Sequence, residues 1–281
     1  MALPGVGNSI SISQIRTELG SSSGSLRTLS SLAGFSTPDA MSEFYGYSAS
    51  DPDFLLFLKS SESGSYPGSG TTWYDISGKG NNGTLTNKYA SNPIWTGSGF
   101  EFQGSNPYGT YQYGRYVSFP NYQFSRISSQ NRVTLNVWFY ATESSYPMIL
   151  AGTNFNGSTT YQGYQLWING TTLYGRISGG GTTYVDVAHQ FSLNTYVHAT
   201  LTYDGTTARL YINGSLAASS AISVTMNYAA PGLFLIGAQY NATGATNIAE
   251  FYTGYIVIVR LYSRAISGAE ASAIYSEDVA N

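Results

Sequence analysis

Carboxylates, amides and phenols are the reactive groups this chain offers, because it holds two histidines and no cysteine. That inventory excludes thiolate nucleophiles, disulfides and Cys-type zinc sites, and leaves too few imidazoles for a multi-histidine metal centre. Two carboxyls about 5 Å apart would suffice for retaining glycoside hydrolysis, and one strand supplies such a pair when acids stand at i and i+2 on a common face. No candidate strand does so. Asp51 and Asp53 have the spacing but flank Pro52 at a junction, while Glu101, Glu143 and Asp186 each stand alone. Neither His189 nor His198 lies near a nucleophile motif. The expectation is a non-enzymatic chain, unless carboxylates from different strands converge.

Binding chemistry is better represented. A neutral sugar site stacks C–H faces on aromatic rings and bonds hydroxyls to Asn, Gln, Tyr and Arg groups. SNPYGTYQYGRYVSFPNY crowds Tyr108, Tyr111, Tyr113, Tyr116 and Tyr122 into a Gly-, Asn- and Pro-punctuated stretch that reads as loop ahead of the strand RYVSF. Tyr108, Tyr111, Tyr113 and Arg115 are the candidate ligand-binding residues. A competing reading packs the same tyrosines against the N-terminal segment or a neighbouring subunit. For a metal, Ca²⁺ asks for about six to eight oxygens, and Asp75 with Asn81 in YDISGKGNN is the most loop-like acid cluster. One carboxylate is few, and Asp75 has an alternative role accepting N–H bonds within its own turn. No other cofactor is implied.

The elements that must position these residues follow two grammars. Residues 1–48 read as a short helical leader. Ser11 and Gln14 stand in capping-box register ahead of Ile12, Ile15 and Leu19; Leu26, Leu29 and Leu32 repeat the pattern; Thr37-Pro38 offers a cap to DAMSEFYG. Three helices this short bury little among themselves, so the leader is expected to dock on the β domain or on a partner chain. Residues 49–281 read as strands: FLLFLK, GFEFQ, RYVSF, VTLNVWFYA, MILAG, YQLWI, TLYGRIS, TYVDVA, YVHATLTYD, ARLYIN, LFLIGA and FYTGYIVIVRLY, punctuated by Gly and Asn. Asp204-Gly205 and Asn169-Gly170 are hairpin signals, and Ser267 with Glu270 caps a closing helix over 267–276.

Charge narrows the partners. Charged residues make up 10% of the chain, against roughly 25% in an average soluble protein, and the net charge of -3 gives no cationic footprint for nucleic acid. A helix-turn-helix reading of the leader fails for the same reason: Arg16 and Arg27 are outnumbered by Glu18, Asp39 and Glu43. The longest apolar run, YIVIVRLY, is too short to cross a bilayer, and MALPGVGNSISIS has no export-signal character. Neither a membrane partner nor an export address is expected.

With these residues in place, a resemblance stands out. TTWYDISGKGNNGTL, VTLNVWFYATE, YQLWINGTTLYGRIS, YVHATLTYDGTTARLYINGSLAASS and FYTGYIVIVRLYSRAISGAEASAIY resemble, in order, the segments of concanavalin A-like, laminin-G-like jelly rolls, over about residues 53–276. The resemblance implies an all-β antiparallel jelly-roll sandwich, with the Trp of VTLNVWFYA buried and His198 on a structural strand. Some relatives bind calcium at a sandwich rim, yet Val257 stands where the closing motif often carries an acid. The leader segments ISISQIRTELG, LRTLSSLAG and PDAMSEFYGYS resemble those of tailed-bacteriophage structural proteins. That likeness implies localisation on a virion, as a capsid decoration protein, head fibre, or tail or baseplate fibre subunit. The leader would contact other virion proteins, with the sandwich displayed in many copies toward host or environmental glycans. The alternatives are a purely structural cement protein and a cryptic glycosidase.

Overall fold

Ser11 and Gln14 close a capping box at the start of α1 (Ile12–Leu19): the Ser11 amide donates to Gln14 Oε1 at 2.7 Å and the Gln14 amide to Ser11 Oγ at 3.2 Å. Ser25 caps α2 (Leu26–Leu32). The computed structural model describes residues 9–19, 21–33, 40–44, 51, 53–88, 91–105, 113–119, 125–144, 148–152, 155–156, 160–161, 163–226, 234–240 and 248–280. The chain divides into two compact units, Met1–Pro52 and Asp53–Asn281. Within the first, Ile15, Leu29 and Phe44 are fully buried in one cluster, with Ile12, Leu19 and Leu26 packed around them. The leader therefore has a small core of its own, in which Phe44 is the third fully buried side chain beside Ile15 and Leu29. Of the third segment, the described residues Met41–Phe44 form a 3₁₀ turn; Thr37, Pro38, Asp39, Tyr45 and Gly46 lie outside the described residues.

The second unit is built from two antiparallel sheets. One runs in the order β17 (Ser215–Ala221), β16 (Thr207–Ile212), β15 (Tyr196–Tyr203), β8 (Val133–Ala141), β21 (Gly254–Tyr262), β5 (Phe100–Phe102), β4 (Ile94–Trp95), and β1 (Phe54–Lys59) also pairs with β21. The other runs β14 (Thr183–Gln190), β13 (Thr172–Gly180), β12 (Gly163–Asn169), β9 (Met148–Gly152), β18 (Leu235–Ile236), β7 (Tyr113–Ser118), β3 (Gly83–Lys88), β2 (Thr72–Trp73), with β6 (Gly104–Ser105) on β7. Two small ribbons join β10 (Phe155–Asn156) to β11 (Thr160–Tyr161) and β19 (Gln239–Tyr240) to β20 (Ile248–Ala249). A short helix, α3 (Ser125–Gln130), precedes β8, and α4 (Gly268–Ala280) closes the chain.

Period-two alternation sends one set of side chains from each sheet into a common core. Leu135, Val137 and Phe139 of β8 and Ala199 and Leu201 of β15 share it with Leu166 and Ile168 of β12 and Leu173 and Ile177 of β13. Each such burial is worth about 1.5–3 kcal/mol before the entropy of ordering is subtracted. The tryptophan of this core is Trp73 at 0% exposure. Trp138 is only partly buried, correcting the expectation from the family resemblance: it alternates with Val137 and Phe139 and so leaves the sheet on the opposite face.

Turn chemistry sets the registers. Asn213 and Gly214 both have positive φ, 50° and 77°, between the paired residues Ile212 and Ser215, as a type I′ turn demands. Asn169 pairs with Thr172, so this hairpin turns on Gly170-Thr171, one residue later than Asn169-Gly170. Asp204 opens the β15–β16 loop by accepting bonds from the amides of Thr206 and Thr207, both at 2.9 Å. Ser267 and Glu270 cap α4 reciprocally, and the helix continues past the expected end at Ser276 to Ala280. Its last turn carries Asp278, which Arg260 of β21 grips through both carboxylate oxygens. No helix among the described residues is long and apolar enough to cross a membrane.

Candidate functional site

On the outer side of the nine-stranded sheet, cross-strand registry assembles a polar and aromatic surface from residues far apart in sequence. Gly152, Gln165, Arg176 and Asp186 lie in one row across β9, β12, β13 and β14, and Trp167 is paired with Tyr174 in the next. The rings of Trp167 and Tyr174 stack with centroids 4.2 Å apart and planes 15° from parallel. The Arg176 guanidinium lies 5.2 Å from the centre of the Trp167 ring and 4.2 Å from that of Tyr184. It is fixed there by a two-point pair, Nε donating to Asp186 Oδ1 at 2.7 Å and Nη2 to Oδ2 at 2.6 Å.

A second carboxyl arrives from outside the sheet. Glu250 follows β20 in a left-handed conformation, φ 53°, and Gln239 Nε2 donates to its Oε2 at 2.5 Å. Burial pushes the Glu250 carboxyl up to about 7, against the opposing pull of the Arg176 charge and the Gln239 amide. Gln165, Arg176 and Gln239 are buried, while Tyr184 remains 39% exposed at the edge. Trp167 Nε1 and Gln239 Oε1 are buried atoms without a hydrogen-bond partner among the described residues. Orphans of this kind are uncommon in native proteins, and a hydroxyl-bearing ligand offers both an acceptor and a donor.

Gly152 keeps this row closely packed. A Cβ there would come 2.4 Å from Gln165 Cβ and 2.7 Å from Gln165 Cα, and backbone cannot yield as a flexible side chain does. Gly152→Val is expected to destabilise the fold by about 3 kcal/mol, read as a lowered midpoint in urea unfolding.

Of the ligand-binding residues read from the sequence, Tyr108 and Tyr111 lie outside the described residues. Tyr113 opens β7 and is 37% exposed. Arg115, which opens the expected strand RYVSF and is among the candidate ligand-binding residues, is buried within β7, its Nη1 donating to Glu101 Oε2 at 3.1 Å. Tyr116 is likewise buried, in a cluster with Leu235, Ile248 and Phe251. The stretch from Tyr113 to Ser118 is strand because its residues pair with β3, β6 and β18.

Asp75 spends both carboxylate oxygens on its own surroundings. Oδ1 accepts from the amides of Phe57 and Ser77, and Oδ2 from Ser77 Oγ and the Asn81 amide, at 2.8–2.9 Å. Asn81 Nδ2 donates to the Leu55 carbonyl at 2.6 Å. These bonds make the pair the brace of a loop, and the metal role expected as one alternative loses its free carboxylate. Among the described residues no group of three or more His, Asp or Glu side chains is placed to hold a metal ion. His198 is buried, with Nε2 3.1 Å from Asp278 Oδ2.

Sequence reasoning passed over Trp167, Tyr174 and Arg176, although their alternation in YQLWINGTTLYGRIS already put them on one face. Asp186 needed the register of a second hairpin. Nothing local marks Gln239 or Glu250.

Comparison with known proteins agrees with this architecture. Nothing matches among curated proteins. Among solved structures, the botulinum neurotoxin serotype C1 binding domain aligns with TM-score 0.56 at 14% identity, covering 82% of this chain and 53% of that one. The receptor binding domain of the C/D mosaic serotype gives 0.55 at 15%, covering 80% and 51%. The binding domain of neurotoxin DC, solved in complex with SialylT, gives 0.55 at 14%, covering 82% and 52%. This chain thus spans about half the length of those domains, and at such identities the likeness is one of fold. The family model described as concanavalin A-like lectin/glucanases superfamily matches residues 110–272. That span holds β8, β12 to β16 and β21, which carry most of both sheets, and on this match the chain belongs to the concanavalin A-like lectin/glucanases superfamily.

Proposed function

We propose that this protein is a carbohydrate-binding module whose site is the outer face of the nine-stranded sheet. The observation that carries the reading is the stacked Trp167–Tyr174 pair beside two buried polar atoms, Trp167 Nε1 and Gln239 Oε1, that have no hydrogen-bond partner among the described residues. A pyranose would lay a C–H face on the exposed aromatic edge and offer hydroxyls to the indole N–H and the amide oxygen. Solved neighbours include a neurotoxin binding domain in complex with SialylT and one whose cell entry depends on two ganglioside molecules. These neighbours support glycans as the ligand class.

Binding without hydrolysis is part of the proposal. Asp186 and Glu250 do converge on Arg176, but the two-point pair with Arg176 keeps Asp186 from acting as a free base or nucleophile. The particle on which the module sits is read from the leader: its resemblance to phage structural proteins supports a virion component, displayed in many copies through residues 1–48. Multiple presentation would convert weak single contacts into strong attachment.

A multivalent glycan array with the full chain tests the site. Trp167→Ala is expected to weaken retention by tenfold or more, about 1.4 kcal/mol per tenfold; unchanged retention would remove the site from this face. Deleting residues 1–48 is expected to abolish incorporation into phage particles, and normal incorporation would end the virion assignment of the leader.

A further inference from the structure

The eight-stranded sheet carries a cleft of about 240 Å³ on its outer face, beside the end of α4 and remote in registry from Trp167. Trp138 and Tyr196 wall it, with Val257, Ile258 and Val279 completing an apolar lining. Tyr196, Tyr140 and Tyr255 are direct cross-strand partners on β15, β8 and β21. Their ring centroids are 5.0 Å apart for Tyr140–Tyr196 and 5.9 Å for Tyr140–Tyr255, and Trp138 meets Tyr196 edge-on at 6.0 Å. Tyr196 is 47% exposed. Three adjacent strands span about 10 Å, the length of roughly two pyranose rings.

The polar groups of the cleft carry a definite sign. Lys59 lines it with Ser61 and Ser98, and the Lys59 side chain has no ion pair or hydrogen bond among the described residues. Asp278 is the acid in the lining, but Arg260 occupies both of its oxygens and His198 sits 3.1 Å away. The charge left open to a ligand is the Lys59 ammonium.

We infer that this cleft and its tyrosine stripe form a second saccharide site, selective for an acidic oligosaccharide whose sugar rings stack on Tyr196 and Tyr140 while a carboxylate meets Lys59. It stands independently of the Trp167 site: either can fail without the other. Two sites on opposite sheets would let one module bridge two glycan chains.

The four indoles of the chain make the test direct, because Trp138 and Trp167 each report one site in an amide and indole NMR spectrum. The full chain is titrated with a hyaluronan tetrasaccharide and, separately, with neutral N-acetylchitotetraose; Trp138→Phe assigns the resonance. The Trp138 indole is expected to shift saturably with the acidic probe. Lys59→Met and Tyr196→Ala are each expected to weaken that response about tenfold, and Trp167→Ala to leave it unchanged. Circular dichroism of the two cleft variants verifies folding. A Trp138 signal that stays still, or that responds equally to the neutral probe or in Lys59→Met, overturns the inference.

Discussion

Asp278→Ala is expected to lose about 3–5 kcal/mol of folding stability, a fall of roughly 10 °C in Tm. Asp278 is 2% exposed and anchors the last turn of α4 to the eight-stranded sheet. Arg260 Nη1 and Nη2 donate to its two oxygens at 2.5 and 2.6 Å, and Arg260 Nη1 also reaches Asn136 Oδ1 at 3.3 Å. The guanidinium lies 4.2 Å from the Phe57 ring centre. Removing the carboxylate strands a buried cation among Phe57, Asn136 and His198, and this uncompensated charge costs more than the pair was worth. The double variant Arg260→Met with Asp278→Leu is accordingly expected to recover most of the loss. Thermal and urea unfolding of the three variants measure this; a single variant as stable as the parent would show that α4 is not held by the pair. Burial alone would raise the Asp278 carboxyl, but the hydrogen bonds from His198 and Arg260 outweigh it and hold it below its ordinary value. Its contribution is thus present above pH 4 and lost as pH falls through the depressed value.

Glu250 works in the opposite sense. Its carboxyl is raised from an ordinary 4.5 to about 7, so between those pH values the folded chain keeps a proton that the unfolded chain has released. Stability must fall as pH rises through that window and level off above 7. A difference of about 2.5 units corresponds to roughly 3 kcal/mol. Glu250→Gln carries no ionisation, keeps an oxygen for the Gln239 amide, and is expected to flatten the slope. The variant would then exceed the parent by up to about 3 kcal/mol at pH 8 and match it near pH 4. Urea unfolding at both pH values decides; equal slopes would mean that Glu250 is ionised and hydrated at neutral pH.

Local order was legible wherever it depends on neighbours in the chain. Alternation gave the strands. Ser11 with Gln14 and Ser267 with Glu270 gave both capping boxes, since each is closed by residues three apart. The Asn169-Gly170 signal gave a hairpin but missed its turn by one residue, because Gly170 alone needs the left-handed conformation and Asn169 stays in the ladder. Tyr113 to Ser118 read as partly loop from Gly and Asn punctuation, yet pairing on both sides makes it strand.

The sequence by itself determined the all-β class, the family, the helical leader and which face of β12 and β13 Trp167, Tyr174 and Arg176 share. The class, the leader and the shared face follow from periods of two or three to four residues, and the family from the ordered motif segments that resemble it. Only the tertiary structure decided the company these residues keep: Asp186 beside Arg176 through hairpin register, Glu250 lowered onto the same cation by the chain after β20, Arg115 turned inward to Glu101, and Asp278 brought to His198 across 80 positions. Such encounters depend on how sheets, loops and the last helix stack, and burial, not local pattern, then selects which charges can survive only in pairs.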